Sequence, residues 1–217
     1  MNMDYPGSVP ADAMPTEHAS TGQRRRPGGR SARVQAAVFE AAMQLLVEKG
    51  YEALSFATIA ERAGVHETSL YRRWKTKEQL VIDAISSQVS KNIPVPDTGA
   101  LRSDLIQILH FLRIFLPSPA GQAIVQTALI AHHTPEMSSF HRDYWQQRLA
   151  LIRPLFQRAI ARGELPPQTD IQLLFEALIG VFYVRLFGLR EPLDETLPER
   201  VVDLVLSGVC MSRPSPL

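Results

Sequence analysis

The sequence predicts an all-α protein, and three observations support this fold class. Apolar residues recur every three to four positions along most of the 217-residue chain, which is the period of amphipathic helices. Prolines and glycines separate these periodic segments, and Ser or Thr stands where several of the helices would begin. No segment of useful length alternates apolar and polar residues, as a half-buried strand would.

Residues 1–30 are rich in Pro, Gly, Ser and Thr and have no apolar period, so we expect a disordered tail. The tail ends in the basic segment GQRRRPGGR, which contains Arg24–Arg26. Basic arms of this kind reach into a minor groove or onto phosphates in some proteins. In others they only increase solubility, and the sequence leaves both interpretations open.

Residues 31–78 are expected to form a domain of short helices. Ser31 stands at the N-cap position of the first helix, and Gly50 is placed to end it in a left-handed conformation. Ser55 is expected to cap a second, shorter helix that ends at Gly64. The apolar side of the first helix consists of Val34, Val38, Ala41 and Leu45.

A third helix is expected directly after Gly64 and Val65. Two helices joined by a glycine-containing turn of three or four residues form a helix-turn-helix. Leu70 and Trp74 are expected to point to the domain core, which leaves the polar and basic residues on the outer side. That pattern suits the major groove of DNA, where the N-terminal residues of the second helix of the motif meet base edges.

The distribution of charge agrees with binding to a polyanion. Residues 20–77 contain eleven Lys/Arg and five Asp/Glu, whereas residues 78–217 contain twelve and fourteen. A basic N-terminal third joined to a near-neutral remainder suggests a nucleic-acid-binding module attached to a second unit. A solvated charged surface would give the same count, so the helix-turn-helix pattern carries the interpretation.

The outer side of the third helix supplies most of the candidate DNA contacts. Arg72 suits guanine, and Glu67 can accept a hydrogen bond from the amino group of cytosine. The hydroxyl groups of Thr68 and Ser69 suit bases or phosphates. Tyr71 and Arg73 suit phosphates, and so do Ser55 and Lys77, which lie at the starts of two helices. The predicted set is Ser55, Glu67, Thr68, Ser69, Tyr71, Arg72, Arg73 and Lys77.

Residues 79–217 are expected to form a larger helical domain for effector binding and dimerisation. TKEQ at 76–79 is a capping box that opens a fourth helix, which Pro94 and Pro96 end. TLPE at 196–199 is a second capping box and opens the last helix. Between them, helices are expected near 101–116, 119–132, 137–163 and 171–189.

A ligand cavity is expected among the helices between residues 101 and 185. The candidate lining residues are Phe111, Phe115, Tyr144, Trp145 and Phe182, although aromatic residues at helical spacing also suit a core. His132, His133 and His141 could bind a metal or a ligand. Adjacent histidines diverge on a helix and no Cys or acidic residue completes a ligand set, so we predict neither a metal site nor a cofactor.

The last two helices carry broad apolar faces. Pairing these faces across a twofold axis would build a four-helix bundle between two protomers. The alternative is that the same faces belong to the internal core. The candidate interface residues are Leu174, Leu178, Val181, Val202, Val205 and Leu206.

Residues 33–85 resemble the DNA-binding domain of the TetR/AcrR-type (tetracycline-repressor-like) regulators. The stretch ALSFATIAERAGVHETSLYRRWKTKEQLVIDAI carries the resemblance through its Gly-Val turn, Leu-Tyr pair, Trp74 and the Lys-Glu pair at 77–78. Two positions depart from the family pattern, because His66 stands where Ser is frequent and Thr68 where Gly is frequent. The stretch LIGVFYVRLFGLREPLDETLPERVVDLVLSG is similar to the end of one large subgroup, in which the last two helices form the dimer interface.

The resemblance implies a homodimer that binds a palindromic, double-stranded DNA operator and usually represses transcription. It also implies that a small-molecule effector in the C-terminal domain lowers the affinity for DNA. Carried over residue by residue, the family's DNA contacts fall on the eight positions given above. The resemblance does not identify the effector, the operator sequence or the target genes.

The remaining features concern location and competing functions. One cysteine, Cys210, the lack of a secretory signal and the lack of an apolar run of about 18 residues favour a cytoplasmic protein without a membrane partner. No GxSxG, P-loop or HExxH motif supports an enzyme. The alternatives are an all-α small-molecule-binding protein or enzyme with an incidental basic surface, and a DNA-coating protein without sequence preference.

Overall fold

The computed structural model describes residues 29–130 and 135–211, and every regular element in these residues is helical. The first helices are α1 (Gly29–Lys49), α2 (Phe56–Ala63), α3 (Glu67–Arg73) and α4 (Lys77–Asn92). The later helices are α5 (Leu101–Phe115), α6 (Pro119–Ile130), α7 (Pro135–Ala161), α8 (Ile171–Tyr183) and α9 (Leu197–Met211). A short 3-10 turn, Tyr51–Ala53, follows α1, and the π-helical segment Val184–Leu189 continues α8. The prediction of an all-α fold is confirmed.

Helix α1 begins at Gly29, two residues before the predicted N-cap Ser31 and inside the predicted tail. Ser31 therefore lies in the first turn of the helix, where it contacts Arg73 instead of capping. The predicted apolar side is correct for Val38, which is buried together with Ala41 and Leu45. Residues 1–28, including Arg24–Arg26, lie outside the described residues.

The turn between α2 and α3 follows from its residues. Ser55 accepts a hydrogen bond from the Thr58 amide at 3.1 Å, and Thr58 accepts one from the Ser55 amide at 3.0 Å, which forms a capping box. Gly64 ends α2 with φ 65° and ψ 36°, a left-handed conformation that favours glycine. The Val65 amide then donates to the Ala60 carbonyl at 3.0 Å, so the chain reverses tightly before α3.

Helix α4 lies between the N-terminal helices and the remainder of the protein, because it packs against both α1 and α7. The predicted capping box at its start forms only in part. Thr76 accepts from the Gln79 amide at 3.2 Å, but the Gln79 side chain accepts from the Lys75 amide and not from Thr76. The helix ends at Asn92, before the two prolines that the sequence analysis assigned as its end.

A sharp turn of 91° separates α5 from α6. Ser118 forms the turn by donating to the Phe115 carbonyl at 2.6 Å and accepting from the Gly121 amide at 3.1 Å. Gly121 is required here because a Cβ atom would collide with the backbone carbonyl oxygens of Phe115 and Leu116. The turn brings α6 back against α1.

The apolar faces of α8 and α9 are oriented differently from the prediction. Leu174, Leu178 and Val202 are buried inside the protomer, so these three residues are core and not interface. Val181, Val205 and Leu206 are half-buried. Large apolar residues that are exposed in this region are Leu173 on α8 (62% exposed), Val184 and Leu189 in the π-helical segment, and Leu204 on α9 (71% exposed).

The start of α9 also differs from the prediction. Thr196 was expected to form a capping box with Glu199, but its amide and hydroxyl donate to Asp194 at 3.1 and 2.8 Å. Glu199 instead lies 3.0 Å from Nε2 of His110 on α5. Arg102 of α5 forms a two-pronged ion pair with Asp203 of α9 at 2.7 and 2.9 Å, so two polar contacts join these helices.

One helical stretch in the described part of the chain, Ile171–Leu189, is long and apolar enough to span a membrane by length and composition. The bent pair α5 and α6 reaches this threshold only if both arms are taken as one span. The stretch contains Glu176 and Arg185, so it is not the uninterrupted apolar run of about 18 residues that the sequence was predicted to lack. Only 22% of the apolar window is buried inside the protomer, which leaves much apolar surface uncovered.

Candidate nucleic-acid interface and ligand cavity

Helix α3 is anchored from beneath by two side chains. Leu70 is 1% exposed and Trp74 is 3% exposed, as predicted, and the Trp74 ring lies 5.8 Å from the ring of Phe39 on α1. This anchoring directs the opposite side of α3 to solvent. Glu67 and Ser69 are partly exposed there, and Thr68, Tyr71, Arg72 and Arg73 are exposed.

Arg72 and Lys75 carry charges that the protein does not neutralise. Within residues 29–130 and 135–211, neither side chain forms an ion pair or a hydrogen bond with another residue. Other arginines of the protein, such as Arg62 and Arg102, are paired with carboxylates. An exposed guanidinium without an acidic partner on a short helix is available to a guanine edge or a phosphate.

Arg73 is held against α1, a contact that was not predicted from the sequence. Its guanidinium donates to the Gln35 side chain at 2.5 Å and to Ser31 at 3.4 Å, and it lies 5.2 Å above the Trp74 ring. All of these partners are uncharged, so the positive charge stays uncompensated while the side chain is fixed. Arg73 is therefore suited to a phosphate beside α1 and not to a base edge.

The two residues predicted at helix starts occupy distinct settings. The Ser55 hydroxyl accepts from the Thr58 amide and donates to Thr58 Oγ1 at 3.2 Å, so a phosphate would compete with Thr58 Oγ1 for its proton. Lys77 lies in the first turn of α4 with Nζ 4.2 Å from the ring centroid of Tyr51. The Tyr51 hydroxyl in turn donates to Glu78 at 2.8 Å. Burial and Glu78 together raise the pKa of Tyr51, which therefore stays a neutral platform for Lys77.

Glu67 and Tyr71 contact each other across one turn of α3. Partial burial, the charge of Glu67 and a hydrogen bond to Glu67 raise the pKa of Tyr71. The Tyr71 ring packs edge to face on Phe56 of α2 at 4.5 Å, although 58% of the residue is exposed. Tyr71 thus braces α2 and α3 while presenting its hydroxyl at the surface.

The start of α1 is the part of this surface that sequence reasoning missed. The contacts of Arg73 with Ser31 and Gln35 bring the first turns of α1 beside the end of α3. Arg33 in that turn is exposed and adds a positive charge to the same side. The signal was available in the cluster of arginines before residue 34, but the sequence did not show that α1 begins beside the end of α3.

Two neighbouring cavities lie in the C-terminal part. An outer cleft of about 560 Å³ opens between α7 and α8, and an inner cavity of about 40 Å³ lies against α4 and α6. His141, Trp145 and Tyr183 border both spaces. Of the predicted lining residues, Trp145 borders both cavities and Tyr144 borders the inner one.

The other predicted lining residues need correction. Phe182 is fully buried in the core and borders neither of these cavities. Phe111 and Phe115 border a separate surface groove beside Val47 and Ile114. Residues that sequence reasoning missed are Phe175 and Tyr183, which directly follow the buried residues Leu174 and Phe182 in the chain. Their apolar, helical spacing resembles that of core residues, so the sequence offered no way to separate them.

The histidines form no metal site in the described residues. His132 and His133 lie outside these residues, and no group of three His, Cys, Asp or Glu side chains within 29–130 and 135–211 is placed to hold a metal ion. His141 accepts a hydrogen bond from Nε1 of Trp145 at 3.0 Å, which uses its Nε2 lone pair. The structure thus places His141 in the wall of the cavities.

A short helix held by Leu70 and Trp74, with an unpaired arginine outside and a Gly64 turn before it, is the arrangement of a helix-turn-helix DNA-binding protein. Residues 38–84 match the family described as bacterial regulatory proteins, tetR family, and residues 95–205 match the tetracyclin repressor-like C-terminal domain. The chain belongs to the TetR family of bacterial transcriptional regulators. Ligand-responsive regulation is typical of this family.

Similar proteins support this assignment along nearly the whole chain. The HTH-type transcriptional regulator AqdR of Rhodococcus erythropolis is 34% identical over 89% of this chain and 92% of its own length. The DNA-binding transcriptional repressor TetR of Mycobacteroides abscessus is 31% identical over 79% of this chain and 90% of its own length. The crystal structure of the TetR family transcription regulator SCO0332 superposes with a TM-score of 0.70 at 31% identity, covering 82% of this chain and 99% of that one.

Proposed function

We propose that the protein is a repressor that binds a palindromic DNA operator as a homodimer and releases it when a small-molecule effector binds. The observation that carries the DNA-binding part is the exposed, unpaired Arg72 on α3, a helix that Leu70 and Trp74 fix from the opposite side. Arg72 would read a base, and the uncharged setting of Arg73 leaves it suited to a phosphate. Glu67, Thr68 and Ser69 would share the groove.

Phosphate contacts would surround this helix. Lys77 and Ser55 lie at the starts of α4 and α2, where free amide groups also favour an anion. Tyr71, whose ring packs on Phe56 of α2, would add a hydroxyl contact to a phosphate. In this proposal residues 31–78 form the DNA-binding domain and residues 79–217 form the effector-binding and dimerisation domain, and the regulator works in the cytoplasm, where its DNA is.

The dimer is supported by apolar surface that the protomer leaves uncovered. Leu173 on α8, Val184 in the π-helical segment and Leu204 on α9 are exposed, and Val181 and Val205 are half-buried. Two such faces paired across a twofold axis would bury these side chains in a four-helix bundle. A dimer of this kind presents two α3 helices, as a palindrome requires.

Effector binding would act through α4. This helix packs against α1 on one side and α7 on the other, and its Ile82 and Ile85 border the inner cavity. A ligand that displaces α4 would change the separation of the two α3 helices from the one-turn spacing of about 34 Å. The effector must bind the released conformation more tightly, because equal affinity for both conformations shifts no equilibrium.

Selection of bound duplexes from a random pool tests the DNA-binding proposal. The full chain should enrich a palindrome and bind it at least about a thousandfold more tightly than unrelated duplexes at fixed salt. Equal affinity for every duplex would instead identify a DNA-coating protein. No binding to any duplex would leave the alternative of a helical small-molecule-binding protein or enzyme and would end the regulator proposal for this chain.

A further inference from the structure

Aromatic rings converge at the outer cleft between α7 and α8. The ring of Trp145 lies 6.3 Å from that of Phe175 and 6.3 Å from that of Tyr183, at angles of 60° and 66°. The ring of Tyr144 lies 5.4 Å from Trp145 on the same helix. Such a cluster usually fills a core, but here Trp145, Phe175 and Tyr183 border an open space of about 560 Å³. Their free surfaces can therefore contact a further ring.

Two phenol hydroxyls in this cluster have no hydrogen-bonding partner among residues 29–130 and 135–211. Tyr144 is only 9% exposed, and Tyr183 is half-buried. Burial raises the pKa of both side chains, so each stays a neutral hydroxyl that can donate or accept. Neither hydroxyl oxygen is among the fully buried atoms that lack a partner, so each remains accessible and can form a hydrogen bond with a polar ligand atom.

Trp145 separates the outer cleft from the inner cavity. Its Nε1 donates to Nε2 of His141 at 3.0 Å, which holds the indole edge to face against the imidazole. Both residues border both spaces, whereas Ile82 and Ile85 of α4 border only the inner cavity. Rotation of the Trp145 side chain would join the two spaces and expose α4 to a molecule in the cleft.

We propose that the cleft binds an uncharged, planar aromatic molecule of two or three rings that carries a hydrogen-bonding oxygen or nitrogen. The volume of the cleft, about 560 Å³, lies within the range of sites that bind drug-sized ligands. The aromatic side chains that line it can stack on a flat ring system. Arg142 and Glu176 both line the cleft and carry opposite charges, so the lining offers no net charge to an ion. The role of this molecule as the effector rests on the proposed function. Its binding to the cleft does not depend on that function.

Calorimetric titration of the full chain with 2-naphthol and with 4-phenylphenol tests the proposal directly. Decahydro-2-naphthol is the matched saturated probe, because it keeps the skeleton and the hydroxyl but lacks the aromatic rings. We expect 2-naphthol to bind at least about tenfold more tightly than the saturated probe. Equal affinities, or no binding of either phenol at 1 mM, would overturn the proposal.

Two variants assign the binding to this cleft. Phe175→Leu should weaken the binding of 2-naphthol at least about fivefold. Phe111→Leu is the same substitution outside the cleft and should leave the affinity for 2-naphthol within about twofold of the wild type. Tyr183→Phe should weaken 2-naphthol by about fivefold to tenfold but weaken naphthalene, which has no hydroxyl, by less than about twofold. Tyr144→Phe gives the same comparison if Tyr183→Phe does not fold, as judged by its helical circular dichroism.

The outcomes separate this inference from the proposed function. If Phe175→Leu leaves ligand affinity unchanged and lowers dimer association instead, the cleft is a contact between two copies of the chain and the inference is wrong. If the chain binds its selected operator but neither phenol, only the inference is lost. If it binds 2-naphthol but no duplex, the regulator proposal is lost and the aromatic site stands.

Discussion

The indole Nε1 of Trp74 donates a hydrogen bond to a carboxylate oxygen of Asp83 across 2.9 Å. Trp74 is the C-cap residue of α3, and Asp83 lies in the second turn of α4. Because Trp74 is also buried against Phe39, this hydrogen bond fixes the end of α3 to α4, the helix that also contacts α7. Under the proposed mechanism, this hydrogen bond would carry a displacement of α4 to α3.

Asp83→Ala should leave the buried Nε1–H group of Trp74 without an acceptor. We expect the free energy of unfolding to fall by about 1–3 kcal/mol, measured by urea denaturation. In a Trp74→Phe background the same change should cost much less, because the donor is already absent. Equal losses in both backgrounds would show that the hydrogen bond does not contribute to stability.

Arg72→Ala should weaken binding to the selected operator by about 1–3 kcal/mol and relax specificity at one base position. Binding would be measured by fluorescence anisotropy with operators substituted at each position in turn. Arg158→Ala is the control, because it removes the same charge from α7, where Arg158 pairs with Asp97. An equal loss in both variants would indicate a general charge effect and no base contact by Arg72.

Substitutions of Ser55 can separate its capping role from a phosphate contact. Ser55→Ala should lower the free energy of unfolding by about 0.5–2 kcal/mol, since it removes the N-cap of α2. Ser55→Asp should stay within about 0.5 kcal/mol of the wild type because aspartate also caps helices. If Ser55 lies against a phosphate, the aspartate variant should nevertheless bind operator at least about tenfold more weakly. Unchanged operator affinity would restrict Ser55 to capping.

Leu204→Glu should disrupt the proposed dimer, because it places a charge in the centre of the exposed apolar face of α9. The dimer dissociation constant, measured by sedimentation, should rise at least about tenfold, and operator binding should weaken with it. Leu151→Glu is the control, since Leu151 is an exposed leucine of α7. A Leu204→Glu protein that dimerises as the wild type does would place the interface elsewhere.

Glu199 should contribute stability that depends on pH. The hydrogen bond from His110 is the main cause that lowers the pKa of Glu199 below its ordinary value of 4.5. A carboxyl whose pKa is lower in the folded state stabilises the protein above the unfolded pKa, and this contribution is lost as the pH falls through the folded pKa. The stability difference between wild type and Glu199→Gln should therefore be present at pH 6 and shrink below about pH 4.5. The pair is partly exposed, so we expect about 1 kcal/mol or less.

That comparison needs urea denaturation of both proteins at several pH values between 3 and 6. A His110→Leu background provides the control, because without the imidazole the difference between Glu and Gln at position 199 should vary less with pH. A constant difference across the whole range would show that the His110 contact does not hold the pKa of Glu199 down.

Local chemistry explains why the N-terminal helices were predictable. Gly64 adopts the left-handed conformation expected of it, and Ser55 caps α2, because a turn or a cap depends on neighbours within a few residues. Leu70 and Trp74 are buried as expected, because the apolar residues of a short helix have only one side on which to pack. The capping boxes predicted at Thr76 and Thr196 were less reliable. The side chain of Gln79 accepts from the Lys75 amide, and Glu199 contacts His110.

The C-terminal helices show where sequence patterns lose their power. Nearly every side of α8 is apolar, so periodicity does not distinguish Leu174, which is buried in the protomer, from Leu173, which is exposed. For the same reason, Phe182 was predicted to line the cavity although it is buried in the core, and Phe175, which borders the cleft, was not predicted. Each choice depends on which neighbouring helix covers which side, and that is decided by contacts between residues far apart in the chain.

By itself, the sequence determined the all-α class, the helix-turn-helix and the outward basic side of α3, because caps, turns and an amphipathic period act over a few residues. The tertiary structure decided that Arg73 rests on Gln35 of α1, that Trp74 bonds to Asp83, and that Trp145 and Tyr183 meet at a cleft. These pairs come from different helices, and only the packing of those helices sets the distances between them.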